Sequence, residues 1–250
     1  MYIRRTLLRL TREYNSIFYI NFLKQQRHLY SYDVEKNPFP AFVFTNTSKY
    51  SSDSPLKCWN CNFVYKSDFF CSKCKVLQEP PENLTYFDIM GIPKSYDVSV
   101  TEVQKKYREL QKLLHPDKFN NKSEKQFSEQ LSSLVNKAYS TLSQPLKRGL
   151  YLLKLNNIAI SEGTESMDAK FLMEIMEKNE EVEDAINDQD KIKNLVQESE
   201  TVLNNLSIEV ADAFREKDIK KAESLLIRMK YYDSINNKLR KLKHDLGMVD

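Results

Sequence analysis

Pro116 separates two stretches of the chain that both carry a helical pattern of apolar residues. In the upstream stretch, four apolar residues recur at i, i+4, i+7 and i+11, namely Val103, Tyr107, Leu110 and Leu114. This spacing places them on one face of an amphipathic helix. Proline cannot continue a helix, and it forces the residue before it out of the helical region. The chain must therefore turn at His115, and His115 and Asp117 are presented on a loop.

The downstream stretch repeats the helical spacing with Phe127, Leu131, Leu134, Val135 and Ala138. Candidate N-caps for the first helix are Asp97, Ser99 and Thr101. Glu102 follows Ser99 by three residues, as in a capping box. Two helices that are joined by a polar loop pack antiparallel, with their apolar faces inward. We therefore expect a helical hairpin whose His-Pro-Asp tip is exposed at one end.

Three basic residues, Lys105, Arg108 and Lys112, lie on the opposite face of the first helix. His115 and Asp117 are close enough to suggest an acid–base pair, but the chain has only three histidines and no companion nucleophile in a suitable setting. General acid–base catalysis also needs a pocket for the substrate, which a hairpin tip does not offer. We therefore expect a chain that is not an enzyme. A simpler alternative is that His115 and Asp117 only cap the two helices.

All four cysteines fall within seventeen residues, as Cys58-x-x-Cys61 and Cys71-x-x-Cys74. Each pair places two thiolates on one turn, and two such turns brought together form a tetrahedral sulfur cage that suits zinc. Residues 56–80 are thus predicted to form a small module that binds one structural zinc ion, with a short hairpin at 62–70 between the pairs. Two disulfides, a redox pair or an iron–sulfur cluster are the alternatives.

The first thirty residues are rich in arginine and contain a single acidic residue. On a helical wheel, apolar and basic residues fall on opposite sides: Ile3, Leu7, Leu10 and Tyr14 against Arg5, Arg9 and Arg12. This pattern predicts a mitochondrial transit peptide at 1–33, and residues 34–55, rich in Ser, Asn, Thr and Pro, read as a linker. A surface amphipathic helix or a disordered tail is the alternative. The expected compartment is the mitochondrial matrix, with the cytoplasm left open as a second one.

Composition limits what the rest of the chain can be. With 250 residues, 4 glycines, 8 prolines and 29% charged residues, the chain is predicted to be helix-rich and long enough for two small domains. The net charge of +3 implies neither a nucleic acid nor a membrane surface as partner. No apolar run reaches the length of about 18 residues that a membrane-spanning helix needs.

Three helical patterns follow Met167, over roughly 168–187, 190–216 and 219–246. The short breaks between them, at Asp188 and Asp218, imply an up-down-up bundle over residues 165–248. The predicted fold class is therefore all-α, with a helical hairpin and a three-helix bundle behind the four-cysteine module.

The first helix of this bundle is both acidic and apolar. Residues 168–184 carry seven carboxylates against two lysines. The apolar run from Phe171 to Met176 wraps more than one face, so the bundle cannot bury all of it. A Leu and Met cluster rimmed by carboxylates is typical of a groove for a protein partner. A solvated acidic face beside ordinary core residues explains the same pattern equally well.

The helix, His-Pro-Asp loop and second helix resemble the J-domain of the DnaJ family. In that family the tripeptide and the basic face of the preceding helix dock onto a DnaK-type (Hsp70) chaperone and trigger its ATP hydrolysis. The resemblance implies a J-domain over residues 84–157. By the same resemblance, the triggering residues are His115, Pro116 and Asp117, and the steering charges are Lys105, Arg108 and Lys112.

Four segments narrow the resemblance to the HscB family, J-type co-chaperones of iron–sulfur cluster assembly: 85–93, 114–119, 135–139 and 171–174. In that family the C-terminal bundle binds an IscU-type scaffold protein. The matching positions here are Leu172, Met173, Met176, Glu177, Glu180, Asp184 and Tyr231. Asp184 stands where the family has a glutamate. The paired cysteines resemble the N-terminal extension of eukaryotic members.

The resemblance implies an adaptor. Its bundle would capture the scaffold with a nascent cluster, and its J-domain would recruit the chaperone, which favours cluster transfer to recipient proteins. Neither a nucleic acid nor a membrane is an expected partner, and a homodimer through the N-terminal module stays open. The alternatives are a zinc-containing general J-protein that holds unfolded clients, and a metal donor or sensor that uses the four thiolates.

Overall fold

The computed structural model describes residues 56–65, 69–80, 84–158 and 168–248, which belong to one compact unit. The transit peptide predicted at 1–33 and the linker predicted at 34–55 lie outside these residues. The elements are, in chain order, β1 (Leu56–Lys57), β2 (Val64–Tyr65), α1 (Tyr86–Met90), α2 (Val100–Leu114), α3 (Lys122–Leu142), α4 (Pro145–Leu155), α5 (Ala169–Asp184), α6 (Gln189–Arg215) and α7 (Ile219–Asp245). The predicted all-α class is confirmed, since β1 and β2 form the only sheet in the described part of the chain.

Helices α2 and α3 form the predicted hairpin. Val103 and Leu114 are fully buried, and Tyr107 stacks on Tyr139 of α3 with ring centroids 4.3 Å apart. Of the three candidate N-caps, Ser99 begins α2, because its side chain accepts a hydrogen bond from the backbone N–H of Glu102. Helix α3 has 21 residues against 15 in α2 and so extends beyond its partner.

Helix α1 precedes the hairpin and has only five residues, too few for a periodic pattern to reveal it. A capping box between Thr85 and Asp88 begins it, and Gly91 ends it with φ of 62°, in the left-handed region that favours glycine. Phe87 and Met90 are buried, and the backbone N–H of Tyr86 donates to the Tyr151 hydroxyl of α4. Helix α1 thus fastens the hairpin to α4.

Each helix of the C-terminal bundle begins at an aspartate. The side chains of Asp168, Asp188 and Asp218 accept backbone N–H groups at the starts of α5, α6 and α7. An aspartate at this position satisfies an otherwise unpaired N–H and places negative charge at the positive end of the helix dipole. The predicted breaks at Asp188 and Asp218 are confirmed, because each break is the cap of the next helix.

Helix α4 joins the hairpin to the bundle by packing on α7. Gly149 makes the close approach: a Cβ there would lie 2.4 Å from Cδ2 of Leu226, which is fully buried. The loop before α2 adds Tyr96, whose ring stacks on Phe214 at 5.5 Å and lies 4.9 Å below the Arg148 guanidinium. The two helical regions therefore share one continuous core.

The four-cysteine module differs from the expectation in its strand pairing. A hairpin was predicted within 62–70, between the two cysteine pairs. Instead β1 pairs with β2 across the first cysteine pair, and Phe70 pairs with Leu77 across the second. Each pair of cysteines thus lies at the tip of its own short turn.

Gly149→Ala is expected to destabilise the fold by about 1–2 kcal/mol, because overpacking against Leu226 outweighs the helix propensity gained. Urea unfolding followed by circular dichroism measures the change. Shortening the opposing side chain with Leu226→Val should recover part of the loss in the double variant. Additive effects of the two substitutions would contradict the proposed close contact.

Candidate functional site

The His-Pro-Asp loop is displayed at the end of α2, as predicted. His115 leaves the helical region with φ −64° and ψ 126°, and Pro116–Lys118 forms a single 3-10 turn. The Nδ1 atom of His115 accepts the backbone N–H of Asp117 at 3.3 Å. The side chains of His115 and Asp117 are 56% and 86% exposed. His115 therefore does cap this turn, while the Asp117 carboxylate faces solvent.

Two serine side chains of α3 hold the start of the loop in place. The carbonyl oxygen of Leu114 accepts hydrogen bonds from Ser128 Oγ at 2.5 Å and Ser132 Oγ at 2.9 Å. Leu114 itself is buried, and its carbonyl would otherwise lack a partner at the end of α2. The loop therefore leaves the hairpin in a defined direction.

The predicted basic face of α2 is exposed. Lys105, Arg108 and Lys112 all lie on the solvent side of the helix, opposite the buried Val103 and Leu114. Their spacing of three and four residues puts them on adjacent turns of one face. Basic residues thus line the helix that leads to the loop, interrupted by the exposed Glu109.

Helix α5 divides its apolar run between core and surface. Phe171 and Ile175 are buried, Leu172 and Met176 are half-buried, and Met173 is 62% exposed. The expectation that the bundle cannot bury the whole run is confirmed. Around the outward side stand Glu177, Glu180 and Asp184, all exposed. We call the surface formed by Leu172, Met173, Met176, Glu177, Glu180 and Asp184 the α5 face.

The charge of the α5 face stays negative because its nearest lysine is already engaged. Lys178 is the only basic residue between Leu172 and Asp184. Its Nζ atom lies 2.9 Å from a carboxylate oxygen of Glu198 and 3.0 Å from one of Glu181. Burial lowers the pKa of Lys178, but these two carboxylates outweigh it and raise the pKa. Lys178 thus ties α5 to α6 as a cation.

Tyr231 lies in α7 beside the first turn of α5. Its ring meets the ring of Phe171 edge-on, with centroids 5.8 Å apart. The Arg228 guanidinium lies 4.8 Å from the centre of the same Phe171 ring. The next residue, Tyr232, donates its hydroxyl to Glu174. The structure thus brings the half-buried Tyr231 next to the residue that precedes Leu172.

The four cysteines converge on one point. All four Sγ atoms lie within 4.8 Å of one another, with Cys58 3.6 Å from Cys74 and Cys61 3.8 Å from Cys71. A regular tetrahedron with metal–sulfur bonds of about 2.3 Å has sulfur–sulfur edges of about 3.8 Å. The thiols form no disulfide. This donor set and spacing fit a metal ion.

The two cysteine turns repeat the same backbone geometry. The N–H of Asn62 donates to the carbonyl of Cys58, and the N–H of Lys75 donates to the carbonyl of Cys71, each at 2.9 Å. Asn62 and Lys75 both have positive φ, of 55° and 62°. Each of these residues directly follows the second cysteine of its pair, so the two turns have the same backbone conformation at matching positions.

The electrostatics of the cluster favour a bound cation. Burial raises the pKa of Cys58, but N–H groups of Cys61 and Asn60 and the neighbouring thiols outweigh it and lower that pKa to about 6. The N–H of Phe63 lowers the pKa of Cys61, but burial and the other three thiols raise it to about 12. Without a cation, ionisation of one thiol thus opposes ionisation of another. A divalent ion removes that conflict.

The cysteine module rests on the first turns of α3. The indole N–H of Trp59 donates to the Leu77 carbonyl at 2.8 Å, and the Leu77 N–H donates to Glu124 Oε1 at 3.1 Å. The ring of Trp59 meets Phe127 edge-on at 6.3 Å. Sequence reasoning missed Trp59 and Glu124 as contact residues. The aromatic residue inside Cys-Trp-Asn-Cys was the available signal, whereas nothing in the sequence singles out Glu124.

Within the described residues, we find no helix with the length and apolar character that crossing a membrane requires.

Two family models match the chain, one over the helical hairpin and one over the C-terminal bundle. The DnaJ domain matches residues 85–151, and the HSCB C-terminal oligomerisation domain matches residues 167–240. The iron–sulfur cluster co-chaperone protein HscB of Mus musculus is 42% identical over an alignment of 201 residues that covers 76% of this chain and 84% of the mouse protein. The Arabidopsis thaliana homolog of that protein is 33% identical over 74% of this chain and 73% of its own length.

A solved structure supports the same relationship. The crystal structure of human co-chaperone protein HscB matches with a TM-score of 0.70 and 38% sequence identity, over 75% of this chain and 98% of the human chain. The J-domain loop, the bundle and the likeness to these relatives agree along most of the sequence. The chain therefore belongs to the HscB family of iron–sulfur cluster co-chaperones, which is not a class of enzymes.

Proposed function

We propose that this chain is an adaptor that delivers an IscU-type scaffold protein to a mitochondrial DnaK-type chaperone and stimulates the ATPase of that chaperone. The observation that carries the proposal is the display of an exposed His-Pro-Asp loop and an exposed α5 face on one compact unit. Tethering two partners raises their effective concentration without any new contact between them. Chaperone closure on the scaffold then favours transfer of the cluster to recipient proteins.

The loop acts as the trigger. Pro116 and the two hydrogen bonds to the Leu114 carbonyl fix the backbone before the partner arrives. Because the backbone is already fixed, the solvent-facing carboxylate of Asp117 can pair with an arginine of the chaperone with little loss of backbone freedom. Lys105, Arg108 and Lys112 attract an acidic chaperone surface and raise the rate of encounter.

The α5 face captures the scaffold. Its exposed Met173 and half-buried Leu172 and Met176 supply the apolar anchors, and carboxylates surround them. Tyr231 adds an aromatic side chain at one end of this surface. Because Phe171 and Ile175 already fill the core, binding at the α5 face leaves the bundle intact.

Cys58, Cys61, Cys71 and Cys74 hold one structural zinc ion. Four thiolates with no open position are typical of structural zinc, which stabilises a fold that has little core of its own. Sulfur atoms within 4.8 Å of one another leave room for one ion. The arginine-rich segment at 1–33 supports the mitochondrial matrix as the compartment.

Asp117→Asn is expected to reduce stimulation of the chaperone ATPase at least about tenfold, because the charge that pairs with the partner is lost. Single-turnover ATP hydrolysis by a DnaK-type chaperone measures the effect, and scaffold affinity should not change. Asp190→Asn is the matched control, since Asp190 is a similarly exposed aspartate at the start of α6. Normal ATPase stimulation by the Asp117→Asn variant would contradict the proposed role of the loop as the trigger.

Replacing Leu172, Met173 and Met176 with serine should weaken scaffold binding about 100-fold, because the apolar anchors of the α5 face are removed. Isothermal titration calorimetry with an IscU-type protein tests this, and chaperone stimulation without scaffold should be retained. Ile208→Ser is the control, because Ile208 in α6 is as exposed as Met173, at 62%. Unchanged scaffold affinity of the triple variant would exclude the α5 face.

The purified chain should contain one zinc ion, as determined by native mass spectrometry, and Cys71→Ser should lose it. Zinc affinity should fall as the pH is lowered, because protons compete for the thiolates. Ser72→Ala, in the same turn, is the control that keeps all four sulfur ligands. If the purified chain instead contains iron and shows visible charge-transfer absorbance, the result would favour an iron–sulfur cluster over zinc at the four cysteines.

A further inference from the structure

The cysteine module and the His-Pro-Asp loop are anchored on the same face of α3. The module reaches Glu124 through the Leu77 N–H, and the loop is anchored through Ser128, which donates to the Leu114 carbonyl. Glu124 and Ser128 are four residues apart, so they lie on successive turns of one helix face. A displacement of the first turn of α3 would therefore also displace Ser128, which supports the loop.

We propose that the four-cysteine module is a metal-dependent brace that holds the first turns of α3 and thereby positions the His-Pro-Asp loop. This inference rests on the proposed function only for its effect on the chaperone. Trp59, Leu77 and Glu124 are its positioning residues, and none of them needs to touch the chaperone.

The brace spans both cysteine turns, which is why it needs the metal. Trp59 belongs to the first turn, between Cys58 and Cys61, whereas Leu77 follows the second turn. The indole hydrogen bond from Trp59 to the Leu77 carbonyl joins the two turns directly beside α3. A two-residue strand pair cannot hold such turns in register without further support. A shared ion on four thiolates supplies that support.

Burial at the contact shows that the module is packed on the helix. Leu77 is fully buried, and Gln78 beside it is 2% exposed. The Gln78 side chain donates to Cys58 Sγ at 3.4 Å and to the Val76 carbonyl at 2.8 Å. Leu77, which contacts α3, is thus followed in the chain by a residue whose side chain bonds the sulfur of Cys58.

Two aromatic side chains of the module provide a matched pair for the test. Trp59 and Phe63 are each 41% exposed. Trp59 contacts Phe127 and Leu77, whereas the ring of Phe63 faces the Nζ atom of Lys73 within the module. Trp59→Ala removes the brace and leaves the cysteines in place. Phe63→Ala removes a ring of equal exposure whose cation–π contact is with Lys73 of the module.

The test uses hydrogen exchange and ATPase stimulation on the full chain loaded with Zn²⁺. In Trp59→Ala, and in the wild type stripped by a chelator, amides of residues 115–128 should exchange about fivefold faster. Maximal stimulation at saturating co-chaperone should fall by a similar factor, while scaffold affinity and exchange in α6 stay constant. Phe63→Ala should match the wild type, and Trp59→Phe should recover part of the loss because it keeps a ring against Phe127.

The outcomes separate the brace from the adaptor function. Unchanged exchange in both Trp59→Ala and the stripped chain overturns the brace, and so does faster exchange with undiminished maximal stimulation. If the wild type itself fails to stimulate the chaperone while exchange responds as expected, the adaptor function fails and the mechanical coupling between module and loop stands.

Discussion

The packing of α4 on α7 is the contact on which the rest of the structure depends. It is closest at Gly149, where a Cβ atom would lie 2.4 Å from Cδ2 of the buried Leu226. Tyr96 and Phe214 close one side of this contact, and the ion pair between Arg215 and Asp97, at 3.2 Å, closes its rim. Without it, the hairpin and the bundle would be two small domains on a tether, and the apolar surface that they bury against each other would be exposed.

Local signals account for what the sequence could predict. Pro116 stops a helix, three aspartates begin helices, and each Cys-x-x-Cys pair forms a tight turn, because each of these effects acts within a few residues. The contacts that join the modules are different. Tyr96 meets Phe214, and Trp59 meets Phe127, across long stretches of chain that no periodic pattern relates. The predicted hairpin in the cysteine module was wrong for the same reason. Nine residues between the cysteine pairs are enough either to form a hairpin of their own or to pair with segments outside the two cysteine pairs.

Charge is separated along the chain although the total is only +3. The exposed side of α2 is basic and the α5 face is acidic. Each surface therefore repels a partner of the same charge and favours a partner of the opposite charge. Lys178 supports this separation because it already forms ion pairs with Glu181 and Glu198 at the surface of the bundle. A single small protein can thus present two surfaces that do not compete for one ligand.

The repeated geometry of the two cysteine turns has a kinetic consequence. In each turn the first cysteine is fully buried, and the second, Cys61 or Cys74, is partly open to solvent. An oxidant or a competing chelator therefore reaches one sulfur of each turn before it reaches the buried Cys58 and Cys71. Cys58 and Cys71, one from each turn, would thus be the last of the four sulfurs to release a bound metal ion, which would keep the two turns joined while a competitor acts.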